Sequence, residues 1–181
     1  MPFLESLRRT HPRIADKIIR DSFNTRGAAW GRNEEGVQAR RNRQPRWTLV
    51  EVDQLYAHYQ TYEECLKVAQ ELTLQVYEMP GAPECPQPDV NDLSRPPVAE
   101  SYRCPICLNH IEIGEFELAQ QSKAAVDTDH LNPSLHPLHA AGNVAFTHHE
   151  CNTTKGERSL EEFLEWAAGV LERQRQFATP E

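Results

Sequence analysis

Four pieces of sequence decide the fold of this chain: CPIC at residues 104–107, VDTDHLNP at 126–133, GNVAF at 142–146 and HHECNTTKGER at 148–158. These pieces hold three of the five cysteines and three of the eight histidines of the chain. They indicate two sites, a closed knot of metal ligands and a separate hydrolytic centre.

The knot is indicated by two short spacings. Cys104 and Cys107 are separated by two residues, and so are His148 and Cys151. A two-residue gap lets both side chains of one turn reach the same ion, and zinc takes four sulfur and nitrogen ligands in a tetrahedron. The four residues therefore predict a structural zinc site with no open position for a substrate.

Two alternatives to this ligand set stay open at the level of sequence. The pairs could be chance spacings or a disulfide. His149 or His110 could also replace His148, although only His148 keeps the two-residue gap to the last cysteine. Cys65 and Cys85 fit neither pair, and we expect them to be ordinary thiols.

The hydrolytic centre is indicated by Asp129 and His130. Hydrolysis of a phosphodiester needs a base for water and a cation for the charge that develops on the phosphate. The neutral imidazole of His130 can be the base, and Asp129 and Asn152 offer oxygen ligands that suit Mg²⁺ or Mn²⁺. Lys155 is a point charge suited to a phosphate. Because adjacent strand residues point to opposite faces, Asp129 and His130 can share a site only if the strand end is distorted.

The stretch Cys104–Arg158 resembles the HNH (ββα-metal) nucleases, in their version with a four-ligand zinc knot. The resemblance rests on Asp129-His130-Leu131-Asn132-Pro133, Gly142-Asn143-Val144 and Cys151-Asn152-x-x-Lys155-Gly156. It implies a two-stranded hairpin followed by a helix, in which His130 activates water while Asp129 and Asn152 bind one catalytic divalent metal. It also implies that Asn143 ties down the loop between the strands.

Two positions depart from the usual HNH pattern. The last residue of the triad is Asn152 in place of histidine, a variant that the family also uses. His148 stands where many members have a third cysteine, which is expected to make zinc binding more sensitive to pH. With these departures, the expected fold class is α+β, a mostly helical chain that carries the nuclease module and its zinc knot.

The composition limits the classes of protein to which this chain can belong. The chain has 181 residues, 39% of them hydrophobic and 25% charged, as in soluble globular proteins. No apolar run approaches the ~20 residues that span a bilayer, and the first residues lack a signal-peptide core. Since three of the five cysteines fall in a metal pattern, we expect a reducing compartment, the cytoplasm of a bacterial or phage-infected cell.

The distribution of charge singles out the N-terminal region. The net charge of the chain is −8, but residues 1–48 hold 11 Lys and Arg against 5 Asp and Glu. Phosphate binding depends on local basic surface, so this region is the better candidate for holding DNA. The alternative is that these residues only solvate exposed faces. The residues predicted to contact nucleic acid are Arg40, Arg41, Arg43, Arg46, Lys155 and Arg158.

The chain is expected to divide into three regions. Residues 1–79 form a helical, partly basic region, 80–99 a proline-rich linker, and 100–181 the nuclease domain with a C-terminal packing helix. In the first region, apolar spacing predicts a helix over 12–23, followed by a basic loop or arm over 24–46. Capping boxes predict helices that start after Thr48 and after Thr61. This pair is compatible with a helix-turn-helix DNA reader or with plain packing.

In the nuclease region, 111–118 could be a strand or a short helix. Strands are predicted over 125–130 and 143–147, with a long loop between them and a metal-binding helix over 149–155 that ends at Gly156. His136 and His139 are expected to be surface or loop-packing histidines. A capping box at Ser159 opens a last helix. Its predicted inward-facing residues are Leu160, Phe163, Leu164, Ala167, Val170 and Leu171.

The resulting hypothesis is a metal-dependent endonuclease that hydrolyses phosphodiester bonds in double-stranded DNA. It would be of the restriction, homing or phage type, with catalytic Mg²⁺ or Mn²⁺ and structural Zn²⁺, and a homodimer is one arrangement for cutting both strands. One alternative is a non-catalytic zinc-bearing DNA-binding module. Another is the same chemistry directed at RNA. Base-edge contacts set the recognition sequence, and no local pattern reveals them.

Overall fold

The computed structural model describes residues 1–25, 30–32, 38–40, 43–52, 56–118 and 125–178, and at 30–32, 38–40 and 88 it describes the backbone alone. In these parts the helices are α1 (Glu5–Thr10), α2 (Pro12–Phe23), α3 (Tyr62–Tyr77), α4 (Gln87–Val90), α5 (Glu115–Leu118), α6 (His149–Lys155) and α7 (Leu160–Ala178). The strands are β1 (Trp30–Arg32), β2 (Gln38–Arg40), β3 (Val126–His130) and β4 (Val144–His148). Short 3-10 turns lie at Pro2–Leu4, Arg46–Thr48, Tyr56–His58 and Ala141–Asn143.

Helices α2 and α3 form the helical half of the core. Helix α2 begins at Pro12, as predicted, because proline is well suited to the first helical position. It buries Ile14 and Ile18 against α3. At the start of α3, the hydroxyl of Thr61 accepts a hydrogen bond of 3.2 Å from the amide of Glu64, which confirms the predicted N-cap.

The predicted helix after Thr48 is wrong. Residues Arg46–Thr48 form a 3-10 turn, 49–52 are not helical, and Val52 is 91% exposed. The tertiary contacts of Arg46 explain the difference, because its buried guanidinium donates hydrogen bonds to the carbonyl oxygens of Asp21 and His58. These bonds hold the segment against α2 in place of a local helix. The helix-turn-helix interpretation therefore loses its first helix in the described residues; 53–55 lie outside them.

The predicted two-stranded hairpin is present. Strands β3 and β4 are antiparallel, with Asp129 opposite Ala145 and His130 opposite Val144, within one residue of the predicted bounds. On its other side, β4 meets α3, and among the described residues no third strand pairs with it. The side-chain amide of Gln75 donates to the carbonyl of Val144 at 3.3 Å and accepts from the amide of Phe146 at 3.0 Å. Helix α3 thus covers a sheet edge that would otherwise be open to pairing.

The proline-rich segment 80–99 carries α4 and buries Leu93. The carboxylate of Asp89 in α4 accepts a hydrogen bond of 3.0 Å from the hydroxyl of Tyr77 and one of 3.4 Å from the amide of Ser6. These contacts tie the segment to both α1 and α3. The division of the chain into domains at this segment stays a prediction.

Helix α7 opens with the predicted capping box. The amide of Ser159 donates to the carboxylate of Glu162 at 2.8 Å, and the Glu162 amide donates to the Ser159 hydroxyl at 3.1 Å. The predicted inward stripe is only partly right, because Phe163 is buried while Leu164 and Leu171 are 48% and 58% exposed. Phe163 is the one buried residue among those described in α7. No helix among the described residues combines the length and the apolar composition needed to cross a membrane.

Candidate active site

The four predicted knot residues converge. One ligand atom from each of Cys104, Cys107, His148 and Cys151 lies within 4.8 Å of all the others. The Nδ1 atom of His148 is 3.4 Å from the Cys107 sulfur and 3.9 Å from the Cys151 sulfur. Ligands on a tetrahedral zinc with bonds of about 2.0–2.3 Å are separated by similar distances, so this donor set fits a structural zinc ion. All five cysteines have free thiols, which speaks against the disulfide alternative.

Hydrogen bonds around the knot select His148 as the fourth ligand. Its Nε2 atom lies 3.1 Å from the carbonyl oxygen of His110. Since a carbonyl only accepts, Nε2 carries the hydrogen and Nδ1 keeps the lone pair that faces the sulfurs. His149 points elsewhere, to Asp127. Burial raises the pKa of Cys151 to about 12, with a further contribution from the neighbouring thiols; a bound cation reverses this preference by favouring thiolate.

Strand β3 presents its functional side chains on two faces. Asp127 and Asp129 point to α6, whereas Thr128 and His130 point to α2 and the loop after β3. The pairing with β4 is regular through His130, so the strand end lacks the distortion that a shared face would require. Asp129 and His130 instead border the same cavity from adjacent faces.

The carboxylate of Asp129 meets Lys155 of α6. The two side chains form an ion pair of 3.3 Å in which both are buried. The Lys155 ammonium also donates to the carbonyl oxygens of His130, Gly156 and Arg158 at 3.0–3.2 Å. These bonds fasten the end of α6 to the end of β3. The predicted contact of Lys155 with a phosphate stays a prediction.

The side-chain amide of Asn152 meets Asp127 and not Asp129. It donates to Asp127 Oδ2 at 2.9 Å, and Nδ1 of His149 lies 2.9 Å from the same oxygen. Asp127 is therefore a member of the site that sequence analysis missed, although its place two residues before Asp129 puts it on the same strand face. The two carboxylates of Asp127 and Asp129 and the carboxamide of Asn152 line one part of the cavity, which we call the metal groove. Such oxygen donors fit a hard divalent cation such as Mg²⁺.

Asn143 has the contacts that the resemblance implies. Its side-chain oxygen accepts from the amide of Asn132 at 2.8 Å, and its amide donates to the carbonyl oxygens of Asn132 and Leu138 at 2.9 and 2.8 Å. It is buried. Asn143 thus ties both ends of the loop between the strands and lies apart from the metal groove.

A chain of hydrogen bonds runs from His130 into the protein. Nε2 of His130 is 3.1 Å from Nδ1 of His139, and Nε2 of His139 is 2.8 Å from the carbonyl oxygen of Ser22 at the end of α2. His139 is 1% exposed. Burial, with contributions from the charge of Arg46 and the ring of His130, lowers the pKa of His139 to about 2. His139 was expected to be a packing histidine; no local signal connects it to Ser22.

Basic side chains also line the cavity, which has a volume of about 1060 Å³; Lys17 and Arg20 come from α2, and Arg43 from the segment after β2. Asp21 holds them in place, because its carboxylate accepts from Lys17 at 2.8 Å, from Arg20 at 3.1 Å and from Arg43 at 3.4 Å. The same carboxylate accepts from the hydroxyl of Thr128 in β3 at 2.9 Å. Burial alone would raise the pKa of Asp21, but Lys17 and Arg20 outweigh it and lower the pKa to about 2.

The predicted nucleic-acid contacts fall in different places. Arg43 and Arg46 both line the cavity, and Arg46 is largely buried. Arg158 lies over the ring of Trp166, 5.0 Å from its centroid, outside this cavity. Arg40 lies in β2 and is described by its backbone alone, and Arg41 lies outside the described residues. Sequence analysis missed Lys17 and Arg20, because their helix carried no signal beyond its apolar spacing.

Comparisons with known proteins point in one direction. Residues 1–61 and 50–151 match the family model described as DraIII. A crystal structure described as that of a type II restriction endonuclease is 33% identical in sequence, with a TM-score of 0.76, over 97% of this chain and 83% of that chain. No protein with a curated description matches the chain.

Proposed function

The chain belongs to the DraIII family, and we propose that it is a restriction-type endonuclease that hydrolyses phosphodiester bonds in double-stranded DNA by HNH chemistry. One observation carries the proposal. His130, Asp127, Asp129 and Asn152 border a single cavity that is also lined by the basic side chains Lys17, Arg20 and Arg43. That arrangement supplies a base, oxygen ligands for a divalent cation, and positive charge for a polyanionic substrate.

His130 is the group that takes a proton from the attacking water. Its ring lies at the end of β3 and is only half-buried, so water in the cavity can reach it. A positioned base of this kind contributes about 10²–10⁴-fold to the rate. The buried Lys155 fixes the carbonyl of His130 from the side of α6, and Asn143 fixes the loop that follows. Both restrain the base relative to the cavity.

Asp129 and Asn152 would hold the catalytic Mg²⁺, as the resemblance implies, and Asp127 is placed to join them. When bound, the ion supplies the positive charge that offsets the charge developing on the phosphate. Asp127 already orients the amide of Asn152. Lys155 partly neutralises Asp129, which reduces the repulsion between the two strand carboxylates.

The basic side chains that line the cavity would contact the phosphate backbone. Lys17, Arg20 and Arg43 have side chains that are 17%, 46% and 40% exposed, so each keeps part of its surface for a ligand. Phosphate contacts of this kind position a nucleic acid without reading its sequence. Arg46 contributes by holding the segment that carries Arg43.

The proposal is tested with supercoiled plasmid and Mg²⁺. The wild-type chain should cut it, and sequencing of the ends should show one recognition site. His130→Ala should lower the cleavage rate by about 10²–10⁴-fold with DNA binding retained. His136→Ala is the matched control, since His136 is an exposed histidine of the loop that follows β3, and it should cut normally. Equal rates for the wild type and His130→Ala would remove the proposed mechanism.

Three further outcomes separate the remaining alternatives. Cleavage of RNA but not of plasmid would show that the same chemistry acts on RNA. Tight binding without cleavage at any divalent metal would favour a non-catalytic zinc-bearing module. We propose that a homodimer makes the double-strand break, and sedimentation of the chain on uncut DNA tests this. A monomer on DNA that still yields double-strand breaks would contradict it.

A further inference from the structure

His139 lies on the loop between β3 and β4, and the proposed chemistry does not use it. Its ring nevertheless bridges His130 at the cavity and Ser22 at the end of α2. Its backbone is fixed as well, because the side-chain amide of Gln60 donates to the carbonyl of His139 at 2.9 Å. Asn143 holds the preceding carbonyl, that of Leu138. A buried ring with so many restraints has one orientation available to it.

The direction of each hydrogen bond in this chain follows from the group at its end. The carbonyl oxygen of Ser22 can only accept, so Nε2 of His139 must carry a hydrogen. Burial keeps the His139 ring neutral, since its pKa is lowered to about 2. A neutral imidazole has one donor and one acceptor nitrogen, and therefore Nδ1 of His139 is an acceptor. The hydrogen between the two rings must then belong to Nε2 of His130.

We propose that His139 is a positioning residue that holds His130 in the tautomer with hydrogen on Nε2, so that the lone pair able to take a proton from water lies on Nδ1. The tautomer follows from the hydrogen bonds together with the neutral state of the buried His139 ring, and its catalytic consequence rests on the proposed function. In the other tautomer the hydrogen would sit on Nδ1, and two acceptor nitrogens would face each other across 3.1 Å. His139 thereby makes Nδ1 the basic atom of His130.

Two substitutions separate the two bonds that His139 makes. In His139→Asn, the side-chain oxygen takes the place of Nδ1 and can still accept from His130, but the bond to Ser22 is lost. In His139→Gln, the terminal amide takes the place of Nε2 and can still donate to Ser22, but the acceptor for His130 is lost. The pair therefore distinguishes orientation of His130 from packing of the loop.

The rate of plasmid cleavage should depend on whether the side chain at position 139 can still accept a hydrogen bond from His130. We expect His139→Gln to lower kcat by roughly 10–100-fold, the range seen when a histidine loses the group that orients its ring, with KM unchanged. We expect His139→Asn to retain most of kcat although it loses the bond to α2. Equal kcat in the two variants, or a change confined to KM, would overturn the positioning role.

The ring ¹⁵N signals of His130 in the full chain, without DNA, test the tautomer directly. We expect the pattern of an imidazole with hydrogen on Nε2 in the wild type, and a mixture of tautomers in His139→Gln. A wild-type ring with hydrogen on Nδ1 would overturn the proposal even if the enzyme is active. If the expected tautomer is seen but no nucleic acid is cut, the proposed function fails while the hydrogen-bond assignment stands.

Discussion

Lys155 shows what a single charged residue does in this fold. It is 1% exposed, and its ammonium has Asp129 and three carbonyl oxygens around it. Removing one partner of a buried ion pair leaves the other charge uncompensated, at a typical cost of 3–5 kcal/mol. The residue that the sequence marks as a phosphate ligand is thus also the fastening between α6 and β3.

We therefore predict that Lys155→Ala lowers the free energy of unfolding by about 3–5 kcal/mol. The control is Lys67→Ala, because Lys67 pairs with Glu64 on the surface of α3 and is 58% exposed. Exposed pairs of this kind contribute about 0–1 kcal/mol. Urea unfolding of both variants measures the difference. Similar small losses would mean that Lys155 has no structural role.

Asn152 allows a cleaner test of the metal groove than either aspartate. Its loss leaves Asp127 bonded to His149 and leaves the ion pair of Asp129 untouched. We predict that Asn152→Ala binds DNA normally, cuts far more slowly, and is partly rescued by higher Mg²⁺ concentrations. A Mg²⁺ titration of the cleavage rate measures this. An unchanged titration curve would exclude Asn152 as a metal ligand.

Residue spacing was sufficient to find some site residues and not others. The knot residues come in pairs separated by two residues, so their spacing in the sequence is enough to identify Cys104 and Cys107. Asp127 was missed because the choice between two carboxylates on one strand face depends on which α6 side chain lies opposite. His139 was missed because its partner Ser22 is 117 positions away, and no local pattern encodes that contact.

At the scale of elements, the outer edge of β4 depends on α3. Both polar groups of Gln75 pair with the backbone of β4, in a buried region. We predict that Gln75→Leu lowers the free energy of unfolding by about 1–3 kcal/mol for each backbone group left without a partner. Gln176→Leu is the control, since Gln176 is exposed on α7. Thermal or urea unfolding measures both, and equal stabilities would show that α3 does not protect this edge.

Elements with local signals could be predicted, and those governed by tertiary contacts could not. The N-cap at Thr61 and the capping box at Ser159 act within four residues, and both helices begin where expected. The segment after Thr48 has a similar pattern but no helix, because the buried Arg46 binds carbonyls on two other segments. The exposure of α7 beyond Phe163 likewise depends on where its neighbours end.

At the scale of the whole molecule, the knot of Cys104, Cys107, His148 and Cys151 joins the segment before α5 to the junction of β4 and α6. We predict one tightly bound zinc per chain. Structural zinc supplies on the order of 10–16 kcal/mol of apparent free energy in small domains, so Cys104→Ser should lose the fold of the hairpin and α6 together with cleavage. Cys65→Ser is the control, being a buried thiol outside the knot. Elemental analysis that finds no zinc in folded, active protein would contradict this.

Asp21 links the helical half to the hairpin and should make stability depend on acid. Its pKa is about 2 in the folded chain against 3.8 for an ordinary aspartate, so its contribution is present above pH 3.8 and is lost as pH falls through 2. We predict that Asp21→Asn costs roughly 2 kcal/mol at neutral pH and progressively less in acid. Asp16→Asn, at an exposed position of α2, should cost little. A pH-independent loss in urea unfolding would exclude this linkage.

The contact between Asp21 and Thr128 bears on protein engineering. A nuclease cassette is useful for fusion proteins only if it retains its activity when it is cut away from its parent. Here the substrate would contact basic side chains from α2 and reactive groups from β3 and α6, and the carbonyl of Ser22 orients the catalytic ring through His139. If residues 100–181 were transplanted alone, they would carry the reactive groups. They would lack Ser22, which orients His130 through His139, and the basic side chains proposed to contact the DNA backbone. The smallest portable unit is therefore expected to begin at α1.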